Sequence, residues 1–295
     1  MSTSTAAAAA AAGTLDLLGF DDADRRDVER LLADPAVAEA ARRAEKAILP
    51  FLGTFEEARL DHLGIPPLAW LRAYVELTPR LVAYHQQLGV PAEVTGTTLA
   101  DVGRNTRIHR LRHGAFGLET WTWLIPHYVG MLYGLGRLTF ALQRTELSVP
   151  AGSVAALPAG IAAGDWVVGM HIPESGPLSP DLVDESIRLA HGFFGTVFPD
   201  RRIVAGVCES WLLDPYLVRS LPADTNVVRF AERYTLVGDP VDAPTEALYF
   251  LFRERDRSKL PRLEHPTSLQ RLVIDRYDRG EAWQVGTGVL AWSGD

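Results

Sequence analysis

The segment Asp165–Phe198 of this 295-residue chain reads DWVVGMHIPESGPLSPDLVDESIRLAHGFFGTVF. Asp165–Ile172 is rich in Val and Ile and predicts a short buried strand. Glu174–Pro177 has the chemistry of a turn, and the helix that follows has Ser179 as a typical N-cap residue with Pro180 at its first position. Because the first amides of a helix have no acceptors within it, this strand-loop-helix predicts an anion or cofactor site.

Composition limits the class of protein. The net charge of −8 argues against a general nucleic-acid binder, which needs a positive surface to follow phosphates. The single cysteine, Cys208, excludes an intramolecular disulfide and is typical of a reducing cytosol. No apolar run approaches the length of a membrane span. We therefore expect a cytoplasmic protein that binds neither nucleic acid nor membrane. The alanine tract Ala6–Ala12 lacks the basic flank of a signal peptide, and residues 1–13 are expected to form a disordered tail.

The first hundred residues carry apolar side chains at helical spacing and predict a helical domain over residues 14–103. The second domain is expected over residues 104–295, with the boundary near Gly103. Pro79 should kink or divide the longest helix. The predicted helices begin near Asp21, Pro35 and Pro67, and two more cover Leu99–Arg112 and Leu118–Val129.

Strands and helices alternate in the second domain, which predicts an α/β fold of the α+β kind, with a mixed sheet flanked by helices. In Arg137–Gln143 apolar and polar residues alternate, as in a strand with one face buried. The other predicted strands are Asp165–Ile172, Ile203–Leu212, Glu246–Phe252 and Trp283–Leu290, and the helices are Asp181–Phe194, a region near Leu217–Ala231, and Leu269–Arg279.

Five short motifs stand out in the predicted second domain, namely LGRLTF at Leu135–Phe140, HIPESGPLS at His171–Ser179, SWLLD at Ser210–Asp214, NVVRF at Asn226–Phe230 and TSLQ at Thr267–Gln270. Together they resemble a bacterial family of GNAT-like acyltransferases. Members of this family pair a helical N-terminal domain with a GNAT-like C-terminal domain. The resemblance covers about residues 14–292, and it implies transfer of an acyl group, acetyl included, from acyl-CoA to an amine or hydroxyl of a small-molecule acceptor.

The resemblance also implies where acyl-CoA, as co-substrate, would lie. In the GNAT fold a central strand separates from its neighbour, the pantetheine arm enters the gap, and the pyrophosphate sits on the loop and helix N-terminus that follow. The implied cofactor-binding residues are Val168, Met170, Ile172, Ser175, Gly176 and Ser179. This loop departs from the usual superfamily pattern of Arg or Gln followed by spaced glycines, because Gly176 is its one glycine and it contains no basic residue.

Acyl transfer to an amine needs a general base, a donor that polarises the carbonyl and an acid for the leaving thiolate. His171, at the end of the predicted central strand, is the first candidate base, and a hydrogen-bonded structural histidine is the alternative. Glu209, in an otherwise apolar strand, is the second, unless its strand face is solvated. Ser210 is a candidate donor. A nucleophilic Cys208 is disfavoured, and a triad of Ser210, His171 and Asp214 lacks the glycines of a nucleophile elbow.

His109 and His113 stand four residues apart, a spacing that can bind zinc. No third ligand is evident near them, so no metal site is predicted. A non-catalytic GNAT-like module that binds a ligand or a protein partner is the alternative to the enzyme. The oligomeric state, the acyl length and the acceptor are left open.

Overall fold

The computed structural model describes residues 13–149, 157–260 and 264–292. The chain divides into two compact units, Met1–Leu135 and Gly136–Asp295. The boundary that we predicted near Gly103 falls inside a helix, because Asp101–His113 is continuous through that glycine. The division therefore comes later in the chain than predicted. The predicted tail, Gly13 apart, lies outside the described residues.

Unit 1 is helical, as predicted. Asp21 is the N-cap residue of the helix Asp22–Ala33, and its carboxylate accepts the backbone N–H groups of Ala23 and Asp24 at 3.0 and 2.8 Å. Asp34 caps the second helix in the same way. The elements are α1 (Asp22–Ala33), α2 (Pro35–Ile48), α3 (Pro67–Gln87), α4 (Ala92–Leu99), α5 (Asp101–His113), α6 (Trp121–Tyr128) and a short strand β1 (Leu132–Leu135).

Helix α3 supplies the core of unit 1. It runs for 21 residues through Pro79, so of the two predicted outcomes, a kink or a division, this proline does not cause the division. Leu77 and Leu81 on either side are buried, and this packing holds the helix together although one backbone hydrogen bond is lost. Trp70 of α3 stacks on Trp121 of α6 with ring centroids 4.5 Å apart.

Unit 2 contains the strands β2 (Leu138–Arg144), β3 (Trp166–His171), β4 (Ile203–Ser210), β5 (Thr235–Leu236), β6 (Val241–Asp242) and β7 (Gln284–Ala291). They form a mixed sheet in the order β2-β3-β4-β7-β5, with β6 also paired to β7. Strands β3 and β4 are parallel, and the other described pairs are antiparallel. This confirms the predicted fold class. The helices of unit 2 are α7 (Thr145–Ser148), α8 (Pro180–Val197), α9 (Pro215–Ser220), α10 (Asn226–Ala231), α11 (Glu246–Phe252) and α12 (Ser268–Asp278).

Two predictions for unit 2 need correction. Glu246–Phe252 is helix α11 and not a strand, as the backbone bonds from Tyr249 N to Thr245 O and from Arg253 N to Tyr249 O show. A short apolar run fits a buried strand or a buried helix turn equally well, and here packing decides. Strand β2 is buried on both faces from Leu138 to Leu142, so it is not half-exposed.

Helix α8 begins at Pro180, as predicted, and buries Val183, Ala190 and Phe194. Its Ser186 hydroxyl accepts the backbone N–H groups of Arg137 and Leu138 at 2.6 and 3.2 Å, which ties the helix to the start of β2. Among the described residues, no helix has both the length and the apolar character needed to cross a bilayer.

Candidate active site

The pairing of strands β3 and β4 stops before either strand ends. In the described part of the sheet their pairing extends as far as Gly169 and Val207. Beyond that pair, His171 is aligned with β2 and Glu209 with Thr287 on β7, each on the side away from the other strand. We call this unpaired region between the last residues of the two central parallel strands the gap.

One face of the sheet at this gap carries polar side chains. Because Gly169 and Val207 are neighbours and side chains alternate along a strand, His171 and Glu209 face the same side. A Cβ atom on Gly169 would lie 2.7 Å from Gln143 Nε2 and 3.4 Å from His171 Nε2. The nitrogen-bearing ends of Gln143 and His171 thus come together over the one residue of β3 that has no side chain there.

Glu209 stands at an exposed position of β4, beside this cluster. Partial removal of solvent around its carboxyl raises its pKa above the usual value. A carboxylate with a raised pKa is a better proton acceptor than an ordinary one. The position of Glu209 is therefore consistent with the role of a base.

The opposite face of the sheet carries Met170, Cys208 and Ser210. Tyr234, which follows α10, places its hydroxyl 3.5 Å from Met170 Sδ. Burial raises the pKa of Cys208 to about 12, so its thiol stays protonated near neutral pH. This argues against a nucleophilic role for Cys208, which the sequence also disfavours. Burial also raises the pKa of Tyr234 well above its usual value, so its hydroxyl keeps its proton.

Ser210 has a structural use, because its hydroxyl oxygen accepts the backbone N–H of Leu212 at 3.1 Å and caps the turn after β4. Its side chain and that of His171 face opposite sides of the sheet. The Asp214 carboxylate accepts the side chain of Arg276 at 2.6 Å and the N–H of Gln284 at 3.0 Å. The structure thus does not bring Ser210, His171 and Asp214 together as a triad.

The loop between β3 and α8 is held by an arginine from outside it. Arg137 donates to the carbonyl oxygens of Pro173 at 2.9 Å, Gly176 at 3.1 Å and Pro177 at 2.8 Å. Sequence reasoning included Arg137 in a motif without a role, because the residue lies far along the chain from the loop. The contact fixes the backbone of the loop without placing a basic side chain in its sequence.

A second arginine reaches the same loop. Arg253 forms an ion pair with Glu174, with Nη2 2.5 Å from Oε1. This residue adopts a left-handed backbone conformation, with φ of 56°, at the C-terminal end of α11. The loop that the sequence describes as lacking basic residues therefore lies against two guanidinium groups.

The implied cofactor-binding residues follow one another along β3, the loop and α8. Val168 and Met170 are buried, whereas Ser175 and Gly176 are exposed. Ser179 is the N-cap residue of α8, yet within the described chain its side chain makes no capping hydrogen bond. The amide groups of the first turn of α8 therefore remain available to an acceptor other than Ser179.

Two protein-family models match this chain, and they meet close to the division between unit 1 and unit 2. Residues 9–130 match the model of an N-acyltransferase N-terminal domain, and residues 132–290 match that of a GNAT-like C-terminal domain. Among curated proteins, none matches this chain.

Solved structures of acyltransferases are similar over almost the whole chain. One, in complex with decanoyl-CoA and teicoplanin, is 28% identical with a TM-score of 0.79 and covers 96% of this chain and 88% of that one. Another, in complex with CoA and 10C-teicoplanin, is 28% identical with a TM-score of 0.75 over 94% and 90% of the two chains. A mutant acyltransferase with octanoyl-CoA is 27% identical with a TM-score of 0.78, over 95% and 87%. The protein thus belongs to the family defined by the GNAT-like C-terminal domain, here preceded by an N-acyltransferase N-terminal domain, and it is an acyltransferase.

Proposed function

We propose that this acyltransferase moves an acyl group from acyl-CoA to an amine or hydroxyl of a small-molecule acceptor. The observation that carries the proposal is the end of β3–β4 pairing at Gly169 and Val207, with His171 and Glu209 on one face beside the gap. The similar acyltransferases that were solved with decanoyl-CoA, octanoyl-CoA or CoA support acyl-CoA as the donor.

The pantetheine arm is proposed to enter this gap, and the pyrophosphate to lie on the loop and the start of α8. Helix N-terminal amides attract phosphate groups, and the Ser179 side chain does not occupy them. Arg137 keeps the loop backbone in place, and Arg253 neutralises the acidic Glu174. The proposed contacts are those implied by the family resemblance, namely Val168, Met170, Ile172, Ser175, Gly176 and Ser179.

The proposed reaction is a direct transfer. The lone pair of the acceptor amine or hydroxyl attacks the thioester carbonyl carbon, the new C–N or C–O bond forms, and the C–S bond breaks. His171 is proposed to take the proton that the nucleophile loses, with Glu209 as the second candidate for this role. Ser210 remains a candidate donor to the carbonyl oxygen. Tyr234, whose protonated hydroxyl lies beside Met170, is proposed to donate a hydrogen bond to the leaving thiolate, which then takes its proton from solvent.

The acceptor is proposed to be a glycopeptide-type small molecule that carries a free amine. This rests on the similar acyltransferases solved with teicoplanin and 10C-teicoplanin. The decanoyl and octanoyl groups of the neighbouring complexes favour a medium-chain donor over an acetyl one.

Release of free thiol from acetyl-, octanoyl- and decanoyl-CoA, with and without a teicoplanin-type amine, tests the proposal. We expect turnover with the longer donors, and a decrease in kcat of about 100-fold or more in His171→Ala with little change in acyl-CoA affinity. His265→Ala, an exposed histidine before α12, should retain full turnover. Calorimetric binding of acyl-CoA without thiol release would favour the non-catalytic module. Absence of binding to any acyl-CoA would overturn the proposal.

A further inference from the structure

Two histidines and a carboxylate come together at the C-terminal end of helix α5 in unit 1. His109 and His113 lie one helical turn apart, with ring centroids separated by 4.4 Å. Glu119 reaches them from the loop after the helix and places Oε2 2.8 Å from His113 Nε2. One nitrogen or oxygen atom of each of the three residues lies within 4.8 Å of the others.

The surroundings orient these side chains. His109 Nδ1 lies 3.0 Å from the carbonyl oxygen of Ala115. A carbonyl can only accept, so Nδ1 carries the proton and Nε2 keeps its lone pair, as in a metal-binding histidine held by a backbone carbonyl. A Cβ atom on Gly117 would lie 2.3 to 2.6 Å from atoms of this ring, so the glycine provides the space that the ring occupies.

The carboxylate of Glu119 is held in a similar way. Arg112 donates to Oε1, which leaves Oε2 directed toward His113. The Glu119 carboxylate is thus held in place by Arg112 beside the two imidazole rings.

We propose that His109, His113 and Glu119 bind a zinc ion. Two imidazoles and one carboxylate are a ligand set that zinc accepts, with bonds of about 2.0–2.1 Å in a tetrahedral arrangement. Such an arrangement separates ligand atoms by roughly 3.3 Å. In the structure His113 Nε2 and Glu119 Oε2 are 2.8 Å apart and the three ligand atoms all lie within 4.8 Å of one another, so rotation of the side chains would bring them to the tetrahedral spacing.

Three protein ligands leave a fourth position for water or an exogenous ligand. The ion joins the last turn of α5 to the loop that leads to α6, and so it restricts the loop between two helices of the unit. The spacing of the two histidines was visible in the sequence. Glu119 was not recognised as their partner because an irregular loop, with no fixed periodicity, brings it back to the helix.

The test is titration of the full-length, untagged chain with zinc chloride after dialysis against a chelator. Calorimetry should give one equivalent bound, and cobalt(II) should give the visible absorption of a tetrahedral site. We expect His113→Ala and Glu119→Gln each to weaken zinc binding at least about tenfold. His62→Ala, an exposed histidine in the same unit, should bind zinc as the wild type does.

Thermal unfolding separates loss of a ligand from loss of the fold. Zinc should raise the melting temperature of the wild type and of His62→Ala, and leave that of Glu119→Gln unchanged. Without metal, His62→Ala should melt as the wild type does, whereas Glu119→Gln should start lower because it loses the ion pair with Arg112, so the quantity compared is the shift that zinc causes in each protein. Failure of the wild type to bind zinc, or unchanged affinity in both His113→Ala and Glu119→Gln, would overturn the proposal.

Discussion

Thr139 lies directly opposite His171 where strands β2 and β3 pair, and both side chains therefore face the same side of the sheet. The Thr139 hydroxyl is buried and, within the part of the chain that the structure describes, has no hydrogen-bond partner. An unsatisfied buried hydroxyl costs about 1–3 kcal/mol of stability. Its place beside the proposed base points to a use in orienting that base or its substrate.

Thr139→Val removes this hydroxyl and keeps the shape of the side chain. We expect stability equal to that of the wild type or higher by up to about 1 kcal/mol, measured by urea unfolding, because no hydrogen bond is lost. Turnover in the thiol-release assay should fall, since the ring of His171 loses a polar neighbour. Thr139→Ser keeps the hydroxyl and should retain most of the turnover. Lower stability together with full turnover in Thr139→Val would contradict this account.

We expect Gly169→Ala to lower the turnover number clearly and the stability of the fold only slightly. The backbone of Gly169 is not in the left-handed region, so alanine is tolerated, but its methyl group would meet Gln143 Nε2 at 2.7 Å and press on the ring of His171. Displacement of the proposed base by even a fraction of an ångström lowers catalysis. We expect kcat to fall about tenfold or more.

The matched control for that substitution is Gly192→Ala in helix α8. Apart from its chain neighbours and the backbone of its own helix, no described atom lies within 4 Å of the position of its Cβ, and alanine favours the helical conformation by up to about 1 kcal/mol. This variant should melt at a higher temperature and react at the wild-type rate. Equal losses of turnover in the two variants would remove the special role of Gly169.

The strand, loop and helix of Asp165–Phe198 were predictable because their signals are local. Valine-rich sequence, a turn and Pro180 at a helix start act within a few residues of one another. The arginines that hold the loop were not predictable, because Arg137 and Arg253 reach it from distant strands and helices. Tertiary packing alone brings such residues together, and a single sequence contains no periodicity that reveals it.

The same distinction explains the misassigned helix α11. Ala247–Tyr249 is a short buried apolar run, which a strand and a helical turn present equally. In contrast, Thr267 and Gln270 form a capping box, and the helix that they begin was predicted almost to the residue. Short-range side-chain chemistry can be predicted, and the choice between two ways of burying the same residues cannot.

Asp101→Asn should lower the stability of unit 1. Asp101 is buried, accepts Trp123 Nε1 at 2.7 Å and lies 3.1 Å from Nε2 of the buried His127. Burial acts to raise the pKa of Asp101, but His127 and Arg104 outweigh it and lower the pKa below the usual value. Asparagine carries no charge, so Trp123, His127 and Arg104 lose a negatively charged neighbour. We expect the free energy of unfolding, measured in urea, to fall by about 3 kcal/mol.

The exposed Asp61→Asn in the same unit is the control for that loss and should change stability by less than about 0.5 kcal/mol. The lowered pKa of Asp101 also determines how the contribution of this residue to the free energy of unfolding depends on pH. Its contribution is present above the ordinary carboxyl pKa and disappears as the pH falls through the lower folded-state value. Similar losses in both variants would show that the buried network contributes nothing specific.

Ionisation of the Glu45 carboxyl should make the protein less stable at alkaline pH than at acidic pH. Burial and the neighbouring carboxyl of Glu76 raise the pKa of Glu45 from 4.5 to about 7, although Arg80 and Arg72 act in the opposite direction. A folded-state pKa above the unfolded one favours the protonated folded form. Its stabilisation is therefore complete below pH 4.5 and is lost as the pH rises through about 7.

Glu45→Gln tests this sign, because glutamine stays neutral at every pH. The melting temperature of the wild type should fall relative to that of the variant between pH 4.5 and 8, and the variant should be the more stable protein at pH 8. Glu39→Gln alters an exposed carboxyl on the same helix whose pKa is lowered by Arg42, and it should not reproduce the effect. Parallel curves for wild type and Glu45→Gln would refute the prediction.

Arg137→Ala should weaken acyl-CoA binding more than it slows the chemical step. The side chain donates to three carbonyl oxygens of the loop after β3, so its loss releases the backbone proposed to face the pyrophosphate. We expect the dissociation constant for decanoyl-CoA to rise about tenfold, with kcat at saturation within a few-fold of the wild type. Arg137→Lys should recover little, because an ammonium cannot reproduce the fixed fork of a guanidinium. Arg188→Ala, on the exposed side of α8, is the matched control and should bind as the wild type does. A decrease in kcat without a change in affinity would instead place Arg137 among the groups that support the reacting end of β3.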